Sequence, residues 1–415
     1  MFPKKAPSAP TVFFRSYSHN NNGRRETWKQ VCDRTIGGLS KLGKLTQEET
    51  DLLYEQQLNF KCLSSGRWLW VGGREWIENP ANFPGAYNCT SLRVNSLETF
   101  GLLMDLAMMG CGTGAVLTED CISQLPVVRN HIAIKEVNEI GTCPPAERRQ
   151  ETKVELDPTV YSNLITIRVG DSRKGWVDAY QALINLAFDL NFDVAAYGDK
   201  EAASRHANKI DMVVDLSSVR PAGEKLKGFG GVANPIKLPE LFNRCAEILN
   251  GAIGRKLNSV ECSLLIDEAA VVVVAGNLRR TAGMRQFDST DELGKTAKDN
   301  LWAQDTNGNW SIDLKRDALR MSNHSRVFYS KPTLEECVTA VRKQYCSGEG
   351  AIQWGGEAVV RCNIDLLTTQ ALRSDFSKAY SEGRSREWLQ YHHPNMTFNE
   401  LEHRLSRFGL NPCGK

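Results

Sequence analysis

The sequence predicts a mixed α/β fold, on three observations. Strand-like and helical stretches alternate along most of the 415 residues. Hydrophobic residues make up 41% and charged residues 24%, a globular balance. The length supplies a large core, either as two or three ordinary domains or as one big α/β barrel with additions.

Taken in order, residues 1–22 are rich in Pro, Ser and Asn and are expected to form an extended arm. Residues 23–80 read as a helical region: apolar residues recur at three and four, and "TQEE" is a capping box beginning at Thr46. Within it, "SSGRWLWVGG" (64–73) changes character, with a turn followed by an aromatic, strand-like run. In 81–117 a strand or turn surrounds Cys89, and a helix capped by Asn95 or Ser96 runs to Met109, where a glycine-rich turn stops it.

Residues 118–160 are irregular and look like an insertion surface, which we extend to 210. "LITIRVGDSRKGWVDAYQALINLAFDL" (164–190) predicts a strand, a turn with Asp171 and Ser172 as cap, and an amphipathic helix. "NSLETF" and "DSRKGW" echo one another, each setting an Asx-Ser cap before an aromatic and an apolar helix. From 211 onward a strand enters a Gly/Pro/Lys loop, followed by a helix from about Pro239 to Gly251. "VECSLLIDEAAVVVVAGNLRRTAGM" (260–284) predicts a helix feeding a strand that ends in polar "GNLRR". The last third adds "RMSNHSRVF", the strand-like "GAIQWGG" and an aromatic helical region.

A formal net charge of +2 without long runs of one sign argues against a surface that tracks nucleic-acid phosphates. A small phosphorylated ligand needs only a local positive site. No stretch approaches the ~20 apolar residues of a membrane span, and the prolines after Lys4 and Lys5 make a poor signal peptide. A cytoplasmic protein without a membrane partner is expected. None of the 12 cysteines forms a C-x-x-C pair, so no zinc site or other metal-ligand set is expected.

Five stretches can carry chemistry. "KGFGGVAN", with Lys225, Lys227 and Gly228, suits a phosphate- or base-contacting loop, although no GK[ST] follows and a plain surface loop has the same composition. "GDSRKGW" puts a helix N-terminus behind Asp171 and Ser172, which suits a nucleotide phosphate or ribose; ordinary capping explains both residues equally well. "GCGTG" (110–114) lets backbone pass close to a flat group, or simply ends a helix. Cys89, between turn residues, and Cys413, in "NPCG", stand apart from apolar stripes. Asn411 can hydrogen-bond a substrate hydroxyl, and Gly414 leaves access open.

Taken together, "SSGRWLWVGG", "GAYNCTS", "MGCGTGA", "VGDSRKGW", "SVRPAGEKLKGFGG", "VVAGNLRR", "GEGAIQ" and "NPCG" resemble, in order, a class II, adenosylcobalamin-dependent ribonucleotide reductase of the monomeric lactobacillus and cyanobacterial subgroup. The resemblance covers residues 12–414. It implies the N-terminal part of a ten-stranded α/β barrel, with a helical N-terminal region and an effector-site insertion. Residues 81–117 would start the half-barrel, and 211–415 would complete it and end in a finger loop. It also implies adenosylcobalamin as cofactor, a ribonucleotide substrate, a deoxynucleotide effector, and a thioredoxin-like or dithiol reductant. Cys413 corresponds to the thiyl residue, Cys89 to one member of the redox pair, and Asn411 to the substrate-binding asparagine. Gly110, Cys111 and Gly112 would line the substrate pocket. Asp171, Ser172, Lys225, Lys227 and Gly228 would serve the effector site and specificity loop.

The family motif Asn-Pro-Cys-Gly-Glu departs here at Lys415, and a lysine is a poor base in the glutamate's place. The second redox cysteine and the second half-barrel are absent from this sequence. An N-terminal half is therefore expected, inactive alone and completed by a separately encoded C-terminal half through association or trans-splicing. The alternatives are an inert truncated product and a non-catalytic nucleotide-binding fragment. A glycyl-radical reductase fits the motif set less well.

Overall fold

The computed structural model describes residues 2–21, 23–157, 163–189, 209–224, 233–275, 282–406 and 409–412. The chain divides into two compact units, Met1–Asn88 and Cys89–Lys415.

The first unit is helical, with helices Ala9–Ser16, Trp28–Gly43, Gln47–Leu58 and Gly66–Val71 and a minimal ribbon of β1 (Asn20–Asn21) and β2 (Arg24–Arg25). The capping box at Thr46 forms as expected, and Thr27 with Gln30 makes a second. Two expectations are corrected. The arm contains helix Ala9–Ser16, because Phe13 seats against Val31 and Leu69 while Pro10 occupies a first-turn position that lacks an N–H partner anyway. "SSGRWLWVGG" is a helix, not a strand. Ser65 caps it by accepting from the Trp68 N–H, and the Trp68 indole donates to the Thr35 carbonyl at 2.9 Å.

The second unit is α/β. Its main sheet comprises β3 (Cys89–Arg93), β4 (Gly112–Val116), β9 (Gly283–Asp288), β12 (Ser322–Phe328) and β13 (Ala351–Trp354), in the order β13-β12-β9-β4-β3 and parallel throughout. Parallel neighbours need crossovers, and helices Glu98–Met108 and Leu334–Ser347 supply two of them. A four-stranded sheet, β5 (His131–Val137), β6 (Lys153–Leu156), β7 (Leu164–Arg168) and β8 (Lys209–Asp215), has the order β5-β8-β7-β6, with only β6 antiparallel. Two further short strands, β10 (Trp302–Gln304) and β11 (Trp310–Ile312), form a hairpin.

The largest core joins residues of both sheets to four helices, with Phe100, Ile167, Tyr180, Val214, Phe242, Leu265 and Phe287 all buried. Each such side chain contributes about 1.5–3 kcal/mol by leaving water. A second core lies over Val116 and Val327, where Val359, Phe376, Trp388 and Leu401 arrive from the last four helices.

The valine run is helical: Ser259–Ala275 is one helix, and the strand expected within it begins only at Gly283. Leu265, Ala269 and Val273 bury into the main core while Leu264 joins a separate cluster, so burial on more than one side outweighs β-branched propensity. The expected Asn95 or Ser96 cap is also absent. Helix Glu98–Met108 starts after Leu97 without a side-chain cap, so the echo with "DSRKGW" does not extend to structure. No helix among the described residues is long and apolar enough to cross a membrane.

Candidate functional site

The site grows from the strand pair β3–β4. Cys89 opens β3 and lies in register with Gly112, so the cysteine and the "GCGTG" stretch are neighbours across the sheet. Side chains alternate along a strand, and the two glycines of β4, Gly112 and Gly114, fall on one face. There they leave a slot that a returning segment fills.

That segment is 409–412. A Cβ placed on Gly112 would stand 3.1 Å from Cys89 Sγ and 3.2 Å from Pro412 Cγ. A Cβ on Gly114 would collide with the Leu410 carbonyl. Gly409, at φ +150°, faces Ser91 and Val116 with no room for a side chain of its own. Glycine here is a requirement of close approach between two backbones.

Gln286 fixes the segment. Its Oε1 accepts from the Leu410 N–H at 2.8 Å and its Nε2 donates to the Leu410 carbonyl at 2.9 Å. Gln353 on β13 donates to the same Oε1 at 2.9 Å, which orients the amide. Asn411 and Pro412 follow, both half-buried. Two polar atoms in this region, Ser91 Oγ and Gln353 Oε1, are buried without a hydrogen-bond partner among the described residues. Such atoms are costly to leave unpaired and are expected where a further group binds.

The sheet's other face is held rigidly. Arg285, next to Gln286, is fully buried and pairs with Asp267 of helix Ser259–Ala275 at 2.7 Å, while also donating to the Thr113 carbonyl at 2.9 Å. Ser263 and Ser322 donate to the second Asp267 oxygen at 3.0 and 2.9 Å. Burial lifts the Asp267 pKa against the pull of Arg285 and these hydroxyls. One network thus ties β4, β9 and β12 to a single helix.

Of the expected site residues, Cys89, Gly112 and Asn411 come together on or beside this slot. Gly110, at φ +77°, makes the turn that leads into β4. Cys111 packs with Leu106 and Met109 in an apolar cluster, so its side chain belongs to the core. Cys413 lies outside the described residues, as do Lys225, Lys227 and Gly228. Gln286, Gln353 and Ser91 were not named as site residues: Ser91 ends "GAYNCTS" and Gln353 ends "GEGAIQ", so the signal lay in those stretches, whereas Gln286, inside a strand, falls in none of them.

Asp171 and Ser172 stand apart, at the end of β7. The Asp171 carboxylate accepts from Arg220 Nε at 2.9 Å and from the Arg220 backbone N–H at 3.0 Å. Ser172 caps helix Arg173–Phe188 by accepting from the Gly175 N–H at 2.9 Å, and donates to the Gln150 carbonyl at 2.5 Å. Their internal partners are those of a cap and of a loop anchor. Nearby, Asp215 takes hydrogen bonds from Arg168 at 2.9 Å and Arg149 at 3.3 Å, and Arg148 grips Glu224 through two 2.7 Å bonds. Asp171 with Arg220 thus links the loops after β7 and β8, while Arg148 and Arg149 tie the segment before β6 to Glu224 and to the end of β8.

Residues 145–249 match a family described as the insertion domain of B12-dependent ribonucleotide reductase. The adenosylcobalamin-dependent ribonucleoside-triphosphate reductase of Lactobacillus helveticus is 27% identical over 312 residues, covering 65% of this chain and 39% of that protein. The enzyme of the same name from Levilactobacillus brevis is 25% identical over 333 residues, covering 71% and 43%. A crystal structure of a B12-dependent, class II ribonucleotide reductase aligns with a TM-score of 0.56 at 22% identity, over 77% of this chain and 45% of that one. The structural likeness shows a shared fold. The chain spans about two fifths of the length of these curated relatives.

Proposed function

We propose that this chain, a relative of the B12-dependent, class II ribonucleotide reductases, supplies the thiol-bearing part of a site that reduces ribonucleoside triphosphates to 2′-deoxyribonucleoside triphosphates. One observation carries the reading: segment 409–412 returns to the β3–β4 slot and brings Pro412, the residue before Cys413, to Cys89.

On this reading Cys413 removes the substrate's 3′-hydrogen as a thiyl radical and later returns it. Asn411 hydrogen-bonds the sugar hydroxyls, and Cys89 contributes one of the two thiols oxidised as the 2′-hydroxyl leaves as water. A dithiol or thioredoxin-like reductant then restores that pair. The backbone of 110–112 and the unpaired Ser91 Oγ and Gln353 Oε1 suit the binding of a polar substrate against the sheet.

The lactobacillar relatives are named for their dependence on adenosylcobalamin, and we propose the same cofactor here. When bound it supplies the radical that activates a thiol. The fit rests on the chain's thiols, since Cys89 Sγ flanks the slot beside the residue that precedes a second cysteine. No described residue is assigned to the corrin ring.

The main sheet supports completion by further polypeptide. Among the described residues, the outer edges of β3 and β13 have no partner strand, and such edges invite pairing. A complementary half would extend them towards a ten-stranded barrel and bring the second redox cysteine. In the insertion region we propose a deoxynucleotide effector site, where Asp171 acts through Arg220 and Ser172 through its helix cap, and to which Lys225, Lys227 and Gly228, outside the described residues, would contribute.

The test begins with the intact mass of the protein from its own host, together with any chain that co-purifies. The complete assembly is then assayed for adenosylcobalamin-dependent deoxynucleotide formation. Activity lost in Cys413→Ser supports the reading, because an O–H bond is too strong for the radical step. Deoxynucleotide formation persisting in that variant overturns it. Effector binding with no reduction in the complete assembly would instead indicate a regulatory nucleotide-binding module.

A further inference from the structure

On the face of the main sheet that carries Arg285 and Phe287, opposite the Cys89 slot, lies a cavity of about 260 Å³. Its floor is β12, and its walls include helices Glu292–Thr296 and Leu334–Ser347, with Trp302 of the β10–β11 hairpin also lining it. Five cations line it, Lys295, Lys298, Arg320, Arg326 and Lys343, against two carboxylates, Asp299 and Glu349.

Four of these cations have a carboxylate of their own. Lys295 pairs with Glu292 at 2.6 Å, Lys298 with Glu349 at 2.6 Å, Lys343 with Asp299 at 2.8 Å, and Arg320 with Asp317 at 3.7 Å. Arg326 has none at ion-pair distance among the described residues; it is only 9% exposed, and the nearest carboxylate whose charge it influences, Glu292, already pairs with Lys295. Gly350, at φ +95°, leaves the space it occupies: a Cβ there would stand 3.0 Å from an Arg326 terminal nitrogen.

His324, two residues earlier on the same face of β12, is 5% exposed, and its Nε2 is buried without a partner among the described residues. Burial, with the charges of Lys298 and Arg285 nearby, holds the ring neutral by driving its pKa well below 6.5. A neutral imidazole nitrogen can accept a hydrogen bond from a protonated phosphate oxygen. A guanidinium with no carboxylate at ion-pair distance, beside an imidazole that hydrogen-bonds the Gly294 backbone but leaves Nε2 buried without a partner among the described residues, is a costly arrangement. Both groups would be satisfied by one anion that carries several oxygens, one of them protonated, and a guanidinium fork matches phosphate geometry.

We propose that this cavity is an anion site, separate from the thiol slot, that binds a phosphate-bearing ligand of about diphosphate size. Arg326 holds the phosphate oxygens, His324 pairs at the floor, and Lys343 and Lys295 screen the charge at the rim. The inference stands independently of the reductase reading, because no thiol takes part in it.

The experiment is calorimetric titration of the full chain with inorganic pyrophosphate, and in parallel with adenosine diphosphate and adenosine. Saturable pyrophosphate binding is expected, weakened about tenfold or more in Arg326→Gln. Lys343→Gln, at the rim, should weaken it by a smaller factor and keeps the test available if the buried variant does not fold. Diphosphate binding equal to pyrophosphate assigns a free oxyanion, and tighter diphosphate binding assigns a nucleotide whose base reaches Trp302; either supports the site. Absence of saturable pyrophosphate binding, or affinity unchanged in both folded variants, overturns it.

Discussion

Gln286 holds the Leu410 peptide from both sides, with one amide oxygen on its N–H and one amide nitrogen on its carbonyl, at 2.8 and 2.9 Å. The two residues are 124 positions apart, yet the side chain pairs with the peptide much as a neighbouring strand would. The C-terminal segment is thus docked on the sheet through one residue of β9.

Replacing Gln286 with leucine is therefore expected to release 409–412. The Leu410 amide should lose protection from hydrogen exchange, while β4 and β12 keep theirs. The stability cost should be about 1–3 kcal/mol, that of leaving partly buried polar groups unpaired. Undiminished protection at Leu410 would show that backbone packing, not the amide, docks the segment.

Gly114→Ala tests the same docking sterically. The new methyl would occupy the place of the Leu410 carbonyl, so either the segment leaves or β4 shifts. A cost of about 1–3 kcal/mol is expected from overpacking. Measured by urea unfolding alongside Gly223→Ala, it should be distinguishable, since Gly223 has nothing within 4 Å of its added Cβ and only its positive φ to strain.

Asp267→Ala should be the most damaging of these changes, because it leaves the Arg285 guanidinium charged, fully buried and without its carboxylate. The expected loss is about 3–5 kcal/mol. Asp267→Leu combined with Arg285→Met should recover much of it, and denaturant midpoints of the three variants decide the matter.

Asp215 gives a pH dependence. Burial alone would raise its pKa, but hydrogen bonds from Ser217 and Arg168, and the charge of Arg149, outweigh burial and hold it below the ordinary 3.8. A carboxyl depressed in the folded state stabilises the fold fully above its unfolded pKa, and that contribution is lost as pH falls through the folded value. Asp215→Asn should accordingly lower the melting temperature at pH 7 and have a much smaller effect near pH 2. Equal losses at both pH values would mean that the carboxylate's charge is not what the loops use.

In a complete, active assembly, Cys89→Ser should stop repeated turnover with a dithiol while a single radical-initiation event stays detectable. Unchanged steady-state turnover would remove Cys89 from the redox pair.

Some of this was legible beforehand. "GCGTG" announces close backbone approach, and the slot at Gly112 and Gly114 is such an approach; Thr46 and Ser172 cap as their spacing dictates. The valine run misled because strand propensity is local, whereas its helix is buried between elements far apart in sequence. Gln286 and Arg285 gave no signal at all. Each is one polar residue in a strand, and its task is defined by partners 124 and 18 positions away.

The β4 slot also bears on how this protein's weak points can be found. Scanning by truncation looks for atoms whose removal hurts, and at Gly112, Gly114 and Gly409 there is nothing to remove. The positions most sensitive to change around Cys89 are blanks, visible only to experiments that add a group. A map built from alanine deletions would credit the docked segment to Gln286 and miss the space that makes its docking geometrically available.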